Sequence, residues 1–362
     1  MNKRIKIMFT GGGSAGHVTP SLPLIQSLKN KEASIFFCGS KKGIERSLIK
    51  SLNIPYYSIT TGKLRRYWSW ENFLTPFQLL LGIKQSFLLC RKIKPDIIFS
   101  KGGFVALPVV IGAFLNRIPV MIHESDLTPG LANRLSFPFA KLIFVTFPVT
   151  TKYFKKKTKI VEAGMPIRKF LYQGNRDRGL KFCEFTEEKP VLLVMAGGLG
   201  STLINDTIRR LLKPLTEKFQ IIHLCGKGKL DLNFSKISDY RQFEYLQEEL
   251  ADVLACADLV ISRAGATSIY ELVSLAKPHI LLPLSKKASR GDQIENADYF
   301  SKQGFSTVLY AEKFSDEKFL KTILHCYKNL EGIKNKLKIF KQVDSTKLIV
   351  EKLISLISKD KI

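Results

Sequence analysis

Short apolar runs recur along the chain at 5–9, 34–38, 97–100, 120–123 and 142–145, each without strict polar alternation. Strands of a parallel sheet read this way, because crossover helices cover both of their faces. The segments between them, such as 20–30 and 70–93, are long enough to be those helices. The pattern then restarts at 191–195 and continues through 220–225, 259–262, 279–283 and 306–309. Both opening runs lead into glycine-rich loops, TGGGSAGHVTP at 10–20 and AGGLGSTLIND at 196–206. The expected fold class is therefore α/β, with two Rossmann-like doubly wound domains, 1–164 and 165–343, and a seam in VEAGMPIRKF at 161–170. In the tail 344–362, Leu348, Ile349, Leu353, Ile354 and Ile357 recur at helical spacing and predict an amphipathic helix that packs back on the N-terminal domain. Ligands of open parallel sheets bind at the carboxyl ends of the strands, so the expected site is a cleft that the two domains face.

Charge sharpens this picture. The 362 residues carry a formal net charge of +26, and residues 1–164 hold 25 basic against 7 acidic side chains. A lysine-rich proteome explains a basic chain but not this asymmetry, which implies an anionic partner for the first half. The six cysteines, at 38, 90, 183, 225, 256 and 326, show neither C-x-x-C nor ligand spacing, which favours a reducing compartment over disulfides or zinc. The opening MNKRIKIMF is too short for a signal peptide, and the apolar stretch 104–115, with its proline, is too short to span a bilayer.

Gly11, Gly13 and Gly16 have the dinucleotide-binding spacing, and such a loop at a helix start brings backbone N–H groups to phosphate oxygens. A nicotinamide or flavin enzyme should then end its second strand on an acid that grips the ribose. Here that strand leads into Gly39, Ser40, Lys41 and Lys42. The lysines leave an NADP reading open, but no hydride-transfer site follows and the second glycine loop stays unexplained. His17 is predicted in the first turn of the next helix, as a base toward an incoming hydroxyl or as a backbone-bonded helix-start residue. SKGGFVALP at 100–108 should set a second loop beside the first, an arrangement that suits a diphosphate; an ordinary strand–helix turn is the alternative, less favoured with Lys101 next to Gly102 and Gly103. HESDLTPGLANR at 123–134 adds His123, Glu124, Ser125 and Asp126 to the same edge. In the second half, the strand 259–262 ends in RAGATS, whose amides and hydroxyls can meet a phosphate, and Glu271 can accept both hydroxyls of a ribose. Asp292, Gln293 and Asn296 in SRGDQIENA suit a sugar or base; a helix cap accounts for Asp292 alone.

Together GGGSAGHVTP, SKGGFVALP, HESDLTPGLANR, GMPIR, AGGLG, HLCGKG, ISRAGATSIYEL and ASRGDQIENA resemble the inverting glycosyltransferases of the two-domain GT-B type, and within them the MurG family. The resemblance implies transfer of GlcNAc from UDP-GlcNAc to the 4-hydroxyl of undecaprenyl-diphospho-N-acetylmuramoyl-pentapeptide in peptidoglycan synthesis. It implies His17 as the catalytic base and an acceptor diphosphate on Gly12, Gly13, Gly102 and Gly103. For the donor it implies uracil near Leu246, ribose at Glu271, phosphates at Ala266, Thr267 and Ser268 with Ile269 and Tyr270 alongside, and sugar at Asp292 and Gln293. Arg168 matches the family's arginine at the seam, and Ser14, Ala15, Gly16 and Asp126 fall on sugar-contacting positions. Two departures stand out: Gly198 replaces the family's serine, with Ser201 three residues on, and Ser125 and Asp126 replace its usual Gln-Asn. No Asp-x-Asp motif is present, so no metal cofactor is expected beyond stimulation by Mg²⁺.

The acceptor lipid gives the charge asymmetry a cause: a peripheral enzyme on the cytoplasmic face of the bacterial inner membrane meets anionic lipids. Lys63, Arg65 and Arg66 precede Trp68, Trp70, Phe73 and Phe77, a mixture suited to headgroups and their interface; a core helix with a basic cap is the alternative. KYFKKKTK at 152–159 extends the basic face or is a solvated loop. The resemblance further implies partners among other cell-wall synthesis and division proteins. Rival readings are a transferase that glycosylates diacylglycerol, a UDP-GlcNAc 2-epimerase and a nucleic-acid binder. No nucleic acid is expected, because the aromatics cluster in one stretch instead of lining a basic groove.

Overall fold

In the computed structural model, which describes residues 4–62, 71–154, 160–286, 288–311 and 314–359, thirteen parallel strands form two sheets. The first sheet has β1 (Lys6–Thr10), β2 (Ser34–Ser40), β3 (Tyr56–Ile59), β4 (Ile97–Ser100), β5 (Val120–Glu124), β6 (Leu142–Val145) and β7 (Ile160–Glu162), in the order β3-β2-β1-β4-β5-β6-β7. The second has β8 (Val191–Met195), β9 (Gln220–Leu224), β10 (Tyr240–Phe243), β11 (Leu259–Ser262), β12 (His279–Leu281) and β13 (Thr307–Val308), in the order β10-β9-β8-β11-β12-β13. Apolar pattern alone misses three strands: β3, β7 and β10. All three are sheet edges and half-exposed, so they carry Ser58, Glu162, Arg241 and Gln242 in place of unbroken apolar runs.

The chain divides into a unit up to Ile167 that also takes in the segment from Val343 onward, and a unit Arg168–Gln342. Packing thus keeps the residues just after 164 with the first unit. Alternate residues of β1 serve its two faces. Ile7 and Phe9 join Phe37, Phe99 and Phe144 beneath the helices Ser21–Lys29 and Ser345–Lys359, the latter contributing Ile349, Val350, Leu353 and Ile357. Met8 joins Ile98, Ile122 and Ile143 against Cys90, Val109 and Val110 on the other face. In the second unit, Leu192, Val194, Ile221 and Ile261 pack beneath Ile204 and Ile208 of the helix Thr202–Arg210.

The helix Glu71–Ile93 is bound to its unit by one narrow face. Gly82, Ser86, Cys90 and Ile93 are buried, at the spacing of one helical stripe. A Cβ on Gly82 would lie 2.3 Å from Thr60 O, and Gln85 accepts Thr60 N–H at 2.6 Å. Along the rest of the helix Phe73, Phe77 and Leu80 are 57%, 71% and 65% exposed. The segment Phe73–Ile93 is long and apolar enough to cross a membrane by length and composition, so the shortness of 104–115 does not by itself exclude a span. Lys63, Arg65, Arg66, Trp68 and Trp70 lie outside the described residues, as do 155–159.

Candidate functional site

In each sheet the strand order reverses once, between β1 and β4 and between β8 and β11, and parallel sheets bind ligands beyond the strand ends at such a reversal. The glycine loops and the RAGATS segment follow these four strands.

In the first unit the two glycine loops touch. Gly12 N–H donates to Gly102 O at 3.3 Å, and a Cβ on Gly103, whose φ is +81°, would lie 2.0 Å from Gly12 O. Only glycine permits this approach. Gly13 N–H points at the buried carboxylate of Glu45 at 3.4 Å. Glu45 also accepts Ser40 N–H at 3.0 Å and Ser40 O–H at 2.5 Å. The amides of Gly12 and Gly13 are thus already directed at acceptors, though at distances beyond those of strong hydrogen bonds.

His17 does not stand in the first turn of the long helix, as its spacing had suggested. It ends a short 3₁₀ turn, Ala15–His17, and the α-helix begins at Ser21. Pro20, at the N-cap, has no N–H to carry the helical hydrogen bonding back toward the glycines. His17 is half-buried, and its Nδ1 lies 3.3 Å from Lys101 O. A second correction concerns Lys101, which the spacing placed toward a phosphate. Its side chain is fully buried, and its Nζ donates to Ser125 Oγ. Burial pulls its pKa down to about 7, against the attraction of Glu124 and Asp126. His123 is held far below its ordinary pKa, first by burial and then by the Lys101 charge, and its Nε2 lies 2.9 Å from Gly164 O.

In the second unit Arg168 donates to both oxygens of Glu271, from Nε at 2.8 Å and Nη2 at 3.0 Å, with 12% and 6% of the two side chains exposed. Burial opposes the Arg168 charge, but Glu271 outweighs it by charge and hydrogen bonds and raises the pKa. Glu271 lies on the helix Ala266–Ser274, whose first turn carries N–H groups with no acceptor within the helix. Ala266 and Ser268 belong to that turn with Thr267, whereas Ile269 and Tyr270 are core: Ile269 is fully buried, and the Tyr270 ring meets Phe300 edge-on at 5.1 Å. Their side chains are thereby removed from the ligand-facing set. Ser201 is likewise committed, because its Oγ caps the helix Thr202–Arg210 by accepting Ile204 N–H at 3.3 Å and accepts Arg263 Nη2 at 2.5 Å. Gly198 lies in the same loop, before Gly200, whose φ is +65°. Leu246 is buried beside the half-exposed Tyr245. Asp292 opens the helix Asp292–Lys302 after Gly291, so it is not the cap; Arg290 Nε is 3.5 Å from its Oδ1, and Gln293 Oε1 accepts Leu284 N–H at 3.1 Å.

Sequence reasoning gave no role to Glu45 or Arg263. Arg263 is largely buried, and burial lowers its pKa. Its other donors reach Leu282 O at 2.9 Å and Pro283 O at 3.4 Å. Its place in RAGATS, directly after a buried strand, was the available signal. Glu45 carried none beyond the helix that follows Gly43.

Residues 7–145 match the N-terminal domain of glycosyltransferase family 28 and residues 191–352 match its C-terminal domain. A Legionella pneumophila (strain Paris) protein named UDP-N-acetylglucosamine–N-acetylmuramyl-(pentapeptide) pyrophosphoryl-undecaprenol N-acetylglucosamine transferase is 53% identical over 344 residues, 95% of either chain. The crystal structure of Acinetobacter baumannii MurG matches with a TM-score of 0.73 and 24% identity, over 99% of this chain and 100% of that one. Neisseria meningitidis UDP-GlcNAc 2-epimerase bound to UDP-GlcNAc matches at 0.65 and 15%, over 98% of this chain and 100% of that one. At those identities the two structures share the fold and nothing finer can be argued from them. Identity to the Legionella transferase, running through both domains and nearly the full length, separates the readings: the chain belongs to glycosyltransferase family 28, in its MurG branch.

Proposed function

We propose that this chain moves GlcNAc from UDP-GlcNAc to the 4-hydroxyl of the muramoyl sugar on undecaprenyl diphosphate, with inversion at the anomeric carbon. The observation that carries the reading is the 53% identity to the Legionella transferase across 95% of either chain. In the chemistry, a neutral His17 that donates from Nδ1 to Lys101 O carries its lone pair on Nε2, the tautomer a general base needs. Nε2 takes the hydroxyl proton as that oxygen bonds to the anomeric carbon. The bond from that carbon to the phosphate oxygen breaks, and UDP leaves with the electron pair. Arg168 and the first turn at Ala266, Thr267 and Ser268 supply positive charge and N–H donors to the departing phosphates. Glu271 accepts the ribose hydroxyls, Leu246 lines the uracil, and Asp292, Gln293 and Asp126 contact the sugar. Gly12 and Gly13 receive the acceptor diphosphate by exchanging their long hydrogen bonds to Gly102 O and Glu45 for phosphate oxygens, with Gly102 and Gly103 beside them. The reading requires no metal, and EDTA is expected to leave turnover within about twofold.

The protein is read as peripheral on the cytoplasmic leaflet, with the apolar outer face of Glu71–Ile93 resting in the interface. Cell-wall and division proteins would be neighbours there. A transfer assay with radiolabelled UDP-GlcNAc and a short-chain muramoyl diphosphate lipid tests the whole. Labelled lipid product is expected, and label on diacylglycerol or free ManNAc instead would reverse the choice. His17→Ala should cut kcat by about 100-fold or more while leaving UDP-GlcNAc affinity near wild type; equal losses in both would make His17 a binding residue.

A further inference from the structure

Lys101 follows β4, where its own N–H donates to Thr10 O of β1 at 2.8 Å, and its side chain is sealed from solvent. The ammonium donates to Ser125 Oγ and is attracted by Glu124 and Asp126 on either side of that serine. Glu124 in turn accepts Asp126 N–H at 3.0 Å, Gly130 N–H at 3.2 Å and Asn133 Nδ2 at 2.8 Å, closing the turn on itself. The carbonyl of the same lysine faces His17 Nδ1 at 3.3 Å. One residue therefore touches the loops that follow β1 and β5 from its own loop after β4.

A buried ammonium is a costly way to fill space, since an apolar chain of the same length would fit without losing hydration. The charge needs another reason. We propose that Lys101 is a positioning residue for the glycosyl transfer: its ammonium locks the turn of Glu124, Ser125 and Asp126 while its carbonyl orients the His17 ring, holding base and sugar-contacting carboxylate in one frame. This deepens the reading of His17 and Asp126 given above and rests on it. Lys101 is covered on all sides, so it acts through those residues and touches no substrate.

Steady-state kinetics on the full-length chain, with UDP-GlcNAc and the short-chain muramoyl diphosphate lipid, test it. Lys101→Met should lower kcat about tenfold or more with the UDP-GlcNAc KM within about twofold, because misplaced reacting groups cost turnover while binding survives. Ser125→Ala should lower kcat by about threefold, and the double variant should be no slower than Lys101→Met, since both remove one linkage. A Lys101→Met kcat within about twofold of wild type overturns the proposal, as do raised KM values with kcat kept or losses that multiply in the double variant. If Lys101→Met does not fold, Ser125→Ala decides, and an unchanged kcat overturns the proposal. A wild-type protein that labels no muramoyl lipid ends the functional reading and this inference together, before any variant is compared.

Discussion

A lysine that water cannot reach must be held in the protonated state by its neighbours or give its proton up, and Lys101 sits at that balance. Its pKa falls to about 7 in the folded chain, from an ordinary 10.5. Between those values the unfolded chain binds more protons than the folded one, so stability from this group rises with pH across the window. The slope is at most about 1.4 kcal/mol per pH unit. Urea unfolding at about pH 7 and about pH 9 should show wild type gaining on Lys101→Met as pH rises; parallel pH dependence would mean that the ammonium is not desolvated. Glu271 poses the opposite case, a carboxylate with its cation in place. Glu271→Gln leaves Arg168 buried without its charge partner and should cost about 3 kcal/mol of stability. It should also weaken UDP-GlcNAc binding about tenfold or more, read by calorimetric titration. Both residues were visible as motif members. What was not legible was where their side chains went: ISRAGATSIYEL and GMPIR carry no sign that Arg168 and Glu271, 103 residues apart, share two hydrogen bonds.

Elements were easier to find than to aim. The helix Glu71–Ile93 is plain in the sequence, but apolar residues occur all round it, so periodicity could not say which side meets the sheet. Small residues decided that. Gly82 approaches Thr60 O, and Gly112 on the helix Ala106–Leu115 sits where a Cβ would lie 2.7 Å from Ser86 Cβ. The face holding the largest apolar side chains is left outside. Phe77→Ser with Leu80→Ser should therefore leave stability within about 0.5 kcal/mol per site, because both are exposed. The pair should lower retention on vesicles of anionic lipid at moderate salt. Unchanged retention would remove this helix from the membrane-facing surface. Edge strands β3, β7 and β10 escaped the pattern for a related reason: half a strand's burial supports only half its apolar residues.

At the scale of the molecule, the last helix returns to the first unit after the chain has built the second. Ile349, Val350, Leu353 and Ile357 fill that unit's core from Ser345–Lys359. Each buried side chain of this size contributes about 2 kcal/mol, and domains are stable by only about 5–15 kcal/mol. Ending the chain at Gln342 should therefore unfold the first unit while the second still binds UDP-GlcNAc. Limited proteolysis with nucleotide titration would show this, and a protease-resistant first unit would refute it. The repeated motif of apolar run, glycine loop and helix determined two parallel sheets and the strand ends where chemistry collects, because periodicity and backbone freedom are local properties of a sequence. Tertiary structure alone decided that Lys101 turns inward to Ser125 and that Arg168 holds Glu271. Those outcomes depend on which distant groups meet in a low-dielectric interior, and burial there sets the charge and the partner of each side chain.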